Sequence, residues 1–162
     1  MISKYKFWLQ DRVAVRVNGP IQEILRPPSR NGVRVMNEDW DNLFILDGCR
    51  ADLFEQSMDV DQFDEYSVRE SLGSCTPEWI SRNFLRGSFG DTVYISGNAF
   101  VSQLVPDQFH DVIQIEETIE ELGVVHPESV RDAVEQAIEQ YPDKRFIVHF
   151  VQPHMPFITT LD

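Results

Sequence analysis

The sequence predicts an α/β fold, a mainly parallel β-sheet with helices on both faces. Three observations predict it. Three apolar runs, Leu43–Leu46, Thr92–Ser96 and Arg145–Val151, have the length and composition of buried strands. Each run ends in a polar or glycine-bearing turn: Asp47-Gly48, Gly97-Asn98 and Gln152-Pro153-His154. Segments of helical spacing separate the runs, most plainly Val130, Val134, Ala137, Ile138 and Tyr141. Strands alternating with helices call for crossover connections and parallel pairing. Leu43–Leu46, Val93–Ile95 and Phe146–Phe150 are therefore expected as neighbouring buried strands.

The elements follow in order. Residues 1–36 form a basic N-terminal arm and residues 37–162 the α/β domain, with the breaker cluster Pro27-Pro28-Ser29-Arg30-Asn31-Gly32 near the boundary. Within the arm, Val13, Val15 and Val17 alternate like a short strand, and residues 20–26 suit a short helix. Asn42–Leu46 is the first strand of the domain. A helix from about Arg50 to Gln56 should turn Leu53 and Phe54 inward. Residues 57–70 are acidic and read as a crossover loop with a short strand near Tyr66–Val68. Thr76-Pro77-Glu78 is a strong helix start, with Thr at the N-cap and Pro at the first helical position. That helix should run to about Leu85 and stop at Gly87. Thr92–Ser96 is the next strand, followed by a helical turn through Ala99–Leu104 and a short strand at Val112–Ile115. Pro127 opens the longest helix, Pro142 closes it, and Arg145–Val151 is the last strand.

Composition bounds the function. A chain of 162 residues with 42% hydrophobic content can bury one core. No run of 18 apolar residues is present, so no transmembrane segment is expected. The first residues lack a secretory pattern, which points to the cytoplasm. Net charge is −13, with three Lys against eleven Arg. An acidic, lysine-poor chain fits a protein kept solvated in high salt, that is, a halophilic one, and an ordinary acidic protein is the competing reading. Seven Lys and Arg against two acids make residues 1–36 +5 and the remainder −18. Such a body repels nucleic acid, so no nucleic-acid partner is expected. Such an arm can serve an anionic surface, but its cations interleave with Phe7, Trp8, Leu9, Ile21, Ile24 and Leu25, which read as residues that pack on the acidic body of this chain or of a partner. Cys49 and Cys75 form no CxxC pair and give no zinc-ribbon spacing.

Three loops at expected strand ends or helix starts carry polar candidates: Asp47–Arg50, Ser74–Thr76 and Pro153-His154. In a parallel sheet such loops converge on one edge, where ligands bind. Each has a plain structural reading as well. Asp47 and Thr76 are good N-caps, Cys75 a small buried residue, His149 a satisfied core or second-shell histidine, and His154 a rigid loop residue. Together they make a coherent chemistry. An Asp holds a divalent metal, and a hydroxyl or thiol at a helix N-terminus is activated beside it. Arg50 can clamp anionic oxygens, and His154 can contact the same anion. The substrate class is a phosphate or sulfate ester.

The residues resemble a known family. Leu46-Asp47-Gly48-Cys49-Arg50-Ala51-Asp52 looks like the first metal-binding strand and loop of the sulfatase branch of the alkaline phosphatase superfamily. Gly73-Ser74-Cys75-Thr76-Pro77 is similar to its nucleophile loop, where Cys, Ser or Thr is followed by any residue and Pro. Val148-His149-Phe150 through Pro153-His154-Met155-Pro156 looks like its strand ending in a Pro-His-x-Pro loop. The order agrees, and the matches span Asn42 to Pro156. The resemblance implies that Asp47 is a metal ligand, Cys75 the nucleophile and His154 a substrate contact. Arg50 matches an arginine common in the first loop. The implied cofactor is a divalent metal (Zn, Mn, Mg or Ca), and the implied activity that of a hydrolase or phosphotransferase.

Two departures shape the expectation. Conversion of the cysteine to formylglycine uses a Cys-x-Pro-x-Arg signature, and here Trp79 stands fifth. Thr76 is then the rival nucleophile, as in relatives that use Thr. Family members also carry a later Asp-His metal pair beyond the Pro-His-x-Pro loop. This sequence, ending at Asp162, reads as an N-terminal portion that holds metal weakly and is inactive alone. A missing C-terminal half or a partner chain would supply the rest. The alternative expectation is a non-catalytic binding or assembly protein derived from the same fold.

Overall fold

The structure, a computed structural model, describes residues 31–119 and 122–158. The arm up to residue 30, with its expected strand at 13–17 and helix at 20–26, lies outside the described residues. Six strands are seen: β1 (Gly32–Val33), β2 (Asn42–Leu46), β3 (Glu70–Ser71), β4 (Phe89–Ser96), β5 (Phe109–Gln114) and β6 (Arg145–Phe150). Four α-helices accompany them: α1 (Ala51–Ser57), α2 (Thr76–Phe84), α3 (Phe100–Leu104) and α4 (Pro127–Gln140). The main sheet is wholly parallel in the order β2-β6-β4-β5, and β1 and β3 form a separate parallel pair.

Helices cover both faces, so the α/β class read from the sequence is the observed one. On one face Tyr94 and Ile147 pack with Ile80 and Phe84 of α2 and with Val101 and Leu104 of α3. The Phe84 ring meets Tyr94 and Phe109 edge-on, at centroid distances of 5.6 and 5.3 Å. On the other face Val93, Ile95, Phe146 and Val148 pack with Val130 and Ala137 of α4. The odd and even residues of β4 and β6 thus feed opposite cores, which is why these strands read as continuous apolar runs.

Some local expectations are corrected. β2 is neighbour to β6 as expected, but it is an edge strand. Phe44 is 61% and Leu46 42% exposed, bordering a pocket that α1 and residues 66–69 leave open. Leu53 is exposed rather than inward, since α1 packs mainly through Phe54 against Phe63 and Tyr66. The short strand expected at Tyr66–Val68 forms instead at Glu70–Ser71, where the backbone can pair with Gly32–Val33. Ile138 is half exposed, next to the buried stripe of Val130 and Ala137 but about a quarter of a turn off it.

Part of the 1–36 segment belongs to the packed body. Val35 and Met36 lie against the core, the Val35 N–H donates to Asn83 Oδ1 at 3.1 Å, and Arg34 donates to the Arg82 carbonyl. No helix of the described residues is long and apolar enough to cross a membrane.

Candidate active site

The carboxyl ends of β2, β6 and β4 come level at one edge of the sheet. Ile45 pairs with His149, and His149 pairs with Ser96. Asp47 follows β2 directly, and its N–H donates to the Phe150 carbonyl at 3.1 Å. The chain then reverses through Gly48 at φ +71°, a conformation that favours glycine, and the Cys49 N–H donates to the Leu46 carbonyl. The Asp47 side chain is therefore held at the sheet edge by the turn beneath it.

Thr76 approaches from α2. Cys75, not Thr76, is the N-cap, and it makes no side-chain capping bond. The reason is local. Glu78 turns back and accepts from the Ser74 N–H at 2.7 Å and the Ser74 hydroxyl at 2.8 Å. Buried Arg82 pairs with Glu78 at 2.8 Å and donates to the Leu72 carbonyl at 2.7 Å. Gly73 permits the loop to lie against the helix, because a Cβ there would sit 2.5 Å from the Trp79 nitrogen. With the loop fastened by Glu78, the Thr76 hydroxyl is released from capping. It lies 3.0 Å from both oxygens of Asp47.

Two further side chains close on Asp47. The Asn98 amide donates to Oδ2 at 2.8 Å, and Asn98 itself is fixed by bonds to Ser96 Oγ and the Phe100 N–H. His149, 1% exposed, places Nε2 3.7 Å from Oδ2, beyond hydrogen-bond distance. Its Nδ1 lies 3.0 Å from the Tyr94 hydroxyl. Burial pushes the Asp47 carboxyl up, but His149, Thr76 and Asn98 outweigh it and hold the group below its ordinary value of 3.8. Burial, and then the Asp47 charge, hold Tyr94 well above the usual phenol range, so that hydroxyl keeps its proton.

A cleft of about 740 Å³ gathers Asp47, Cys75, Thr76, His149 and His154, with Cys49 and Arg69 on its walls. His154 lies against Gly48, so the Pro-His loop does reach the Asp47 turn. Cys75 is exposed in the cleft. Arg50 does not line this cleft. It is 80% exposed, is bound two-pronged by Asp52 at 2.9 and 2.8 Å, and borders a shallower neighbouring pocket. Arg69 is the guanidinium that lines the main cleft.

Asn98, Arg69 and the Tyr94–His149 pair were not singled out as site residues from the sequence. Asn98 had a usable signal, since it ends an apolar strand just as Asp47 does. Arg69 and Tyr94 had none, because loop folding and strand register bring them in. Among the described residues no three His, Cys, Asp or Glu side chains come together as a metal-holding group. In comparisons with known proteins, no family model, no curated protein and no solved structure matches the chain.

Proposed function

We propose that the cleft belongs to a sulfatase-like, metal-dependent hydrolase or transferase acting on phosphate or sulfate esters. The observation that carries the reading is the Thr76 hydroxyl within 3.0 Å of both Asp47 oxygens, at a strand end and a helix N-terminus. The motif resemblance at Asp47, Cys75-Thr76-Pro77 and His154 supports the same reading.

The residues fit a divalent cation in part. Asp47 is kept ionised, and among the described residues its Oδ1 is engaged only by Thr76, so that oxygen and the Thr76 hydroxyl form an anchoring pair. Divalent cations take four or more ligands, so further donors must come from outside this set. A bound metal would lower the pKa of an adjacent hydroxyl or thiol and neutralise charge on an ester oxygen. The chain's own residues do the rest. Thr76, or Cys75 beside it, presents the nucleophile at the α2 N-terminus, where the helix dipole favours an anion. Arg69 and His154 stand on the cleft walls to meet non-bridging oxygens. A carboxylate held below its usual range is a poor general base, which favours ion holding over proton abstraction by Asp47.

A second reading has its own observation. Phe44, Leu46 and Val68 expose apolar surface beside the cleft, which suits a binding or assembly protein built on this fold. Titration with Mn²⁺ and Zn²⁺ by calorimetry separates the two. The enzyme reading expects weak binding that Asp47→Ala removes. No binding at millimolar metal would favour the assembly reading.

A further inference from the structure

His149 is the least exposed titratable group bordering the cleft, and its Nε2 has no hydrogen-bond partner among the described residues. An unpaired buried nitrogen is costly, and this one is aimed at the most heavily bonded oxygen of Asp47. Which nitrogen carries the proton follows from what the ring meets on its two sides. Tyr94 is 0% exposed, and the bond of its hydroxyl is to His149 Nδ1 at 3.0 Å. A lone pair on Nε2 would face the Asp47 carboxylate, so the hydrogen belongs on Nε2, and Nδ1 is then the acceptor for the Tyr94 hydroxyl. The opposite tautomer would leave the Tyr94 hydrogen without that acceptor and point a lone pair at a carboxylate. Contacts fix the ring as well, since Trp79 meets it edge-on at 6.3 Å.

We propose that His149 is a positioning residue for Asp47, held by Tyr94 so that its Nε2–H faces Oδ2 and leaves Oδ1, beside the Thr76 hydroxyl, to meet the ligand. The consequence for metal binding rests on the functional reading above, whereas the tautomer does not. Asn98, in the turn after β4, binds Oδ2, and His149 of β6 faces the same oxygen, so both act from the two central strands of the sheet. The carboxylate delivered by an edge strand is thereby oriented from the rigid centre of the sheet. Residues that orient a ligand without touching the metal typically change metal affinity 10–100-fold when lost.

The test uses the full chain in two arms. In the metal-free protein at pH 8, nitrogen-15 spectra of the four histidines, assigned by single substitution, report which ring nitrogen of His149 is protonated. The expected signature is Nε2–H in the wild type, lost as a single form in Tyr94→Phe. A proton on Nδ1 in the wild type would overturn the proposal. In the second arm Mn²⁺ affinity is compared. His149→Gln, which keeps an amide N–H near the place of Nε2, should stay within about threefold of wild type, while His149→Phe should lose about 10–100-fold. Equal affinity in His149→Phe and wild type would overturn the positioning role. A wild type that binds no Mn²⁺ at millimolar concentration would instead remove the functional reading, and the spectra would still decide the tautomer.

Discussion

The centre of the sheet and its β2 edge carry the same kind of sequence but live in different environments. Val93, Tyr94, Ile95 and Ile147 are fully buried between helices, while Phe44 and Leu46 of β2 face solvent. The site residues divide along the same line. Asp47 follows the edge strand, whereas Asn98, which binds it, follows β4, and His149, which faces it, lies on β6. The difference teaches that the site's geometry is set from the centre outward. A well-packed pair of strands fixes the partners, and the edge delivers the charged group to them.

The largest expected effect breaks the centre. Ile147→Ala should cost about 2–5 kcal/mol in denaturant unfolding, as for other fully buried aliphatic residues. Desalting should act next, and on the edge. Asp52, Glu55, Asp59, Asp61, Asp64 and Glu65 crowd α1 and the following loop. Their repulsion is screened at molar salt, where the Debye length is about 3 Å, but reaches about 30 Å at 0.01 M. Hydrogen exchange in residues 42–71 should therefore quicken on desalting before that of β4 and β6 does, and the melting temperature should fall. A flat or rising melting temperature would refute the halophilic expectation.

A smaller effect is tied to acid. The Asp47 carboxyl lies below its ordinary value of 3.8 in the fold, so its stabilisation is present above that value. It is lost as pH falls through the lower, folded-state value. Asp47→Asn should flatten that part of the acid limb of the melting-temperature curve below about pH 4, and an unchanged limb would show that Asp47 is not held as described. The smallest effect belongs to the outer surface of the edge. Phe44→Ser should stay within about 0.5 kcal/mol of wild type in the same denaturant measurement as Ile147→Ala.

Much of this was legible in the sequence. The parallel α/β class, the approximate strands and the convergence of Asp47, Thr76 and His154 all follow from apolar runs ending in polar turns. The edge position of β2 was not legible, because an apolar run reads the same whether or not a neighbour covers it. The cap of α2 is Cys75, one residue before the expected Thr76, because Glu78 binds back to Ser74, a local contact that Thr-Pro-Glu by itself does not reveal. Arg50 was plausible by charge, yet Asp52 two residues on takes both its prongs. Tyr94 and His149 meet only through the register of β4 on β6, with Tyr94 beside Ile147 and Ser96 beside His149.

The central claim is that Asp47 and Thr76 anchor metal-dependent ester chemistry that needs donors beyond those described. Hydrolysis of aryl phosphate and aryl sulfate esters with added Zn²⁺, Mn²⁺, Mg²⁺ or Ca²⁺ tests it most directly. The assay compares wild type with Asp47→Ala, Cys75→Ala and Thr76→Val, alone and with a chain that supplies further Asp and His ligands. The account predicts background rates for the 162-residue chain alone, and turnover on supplementation that Asp47→Ala abolishes and loss of the true nucleophile, Thr76 or Cys75, removes. Robust turnover by the chain alone, or supplemented turnover that survives Asp47→Ala, would contradict it.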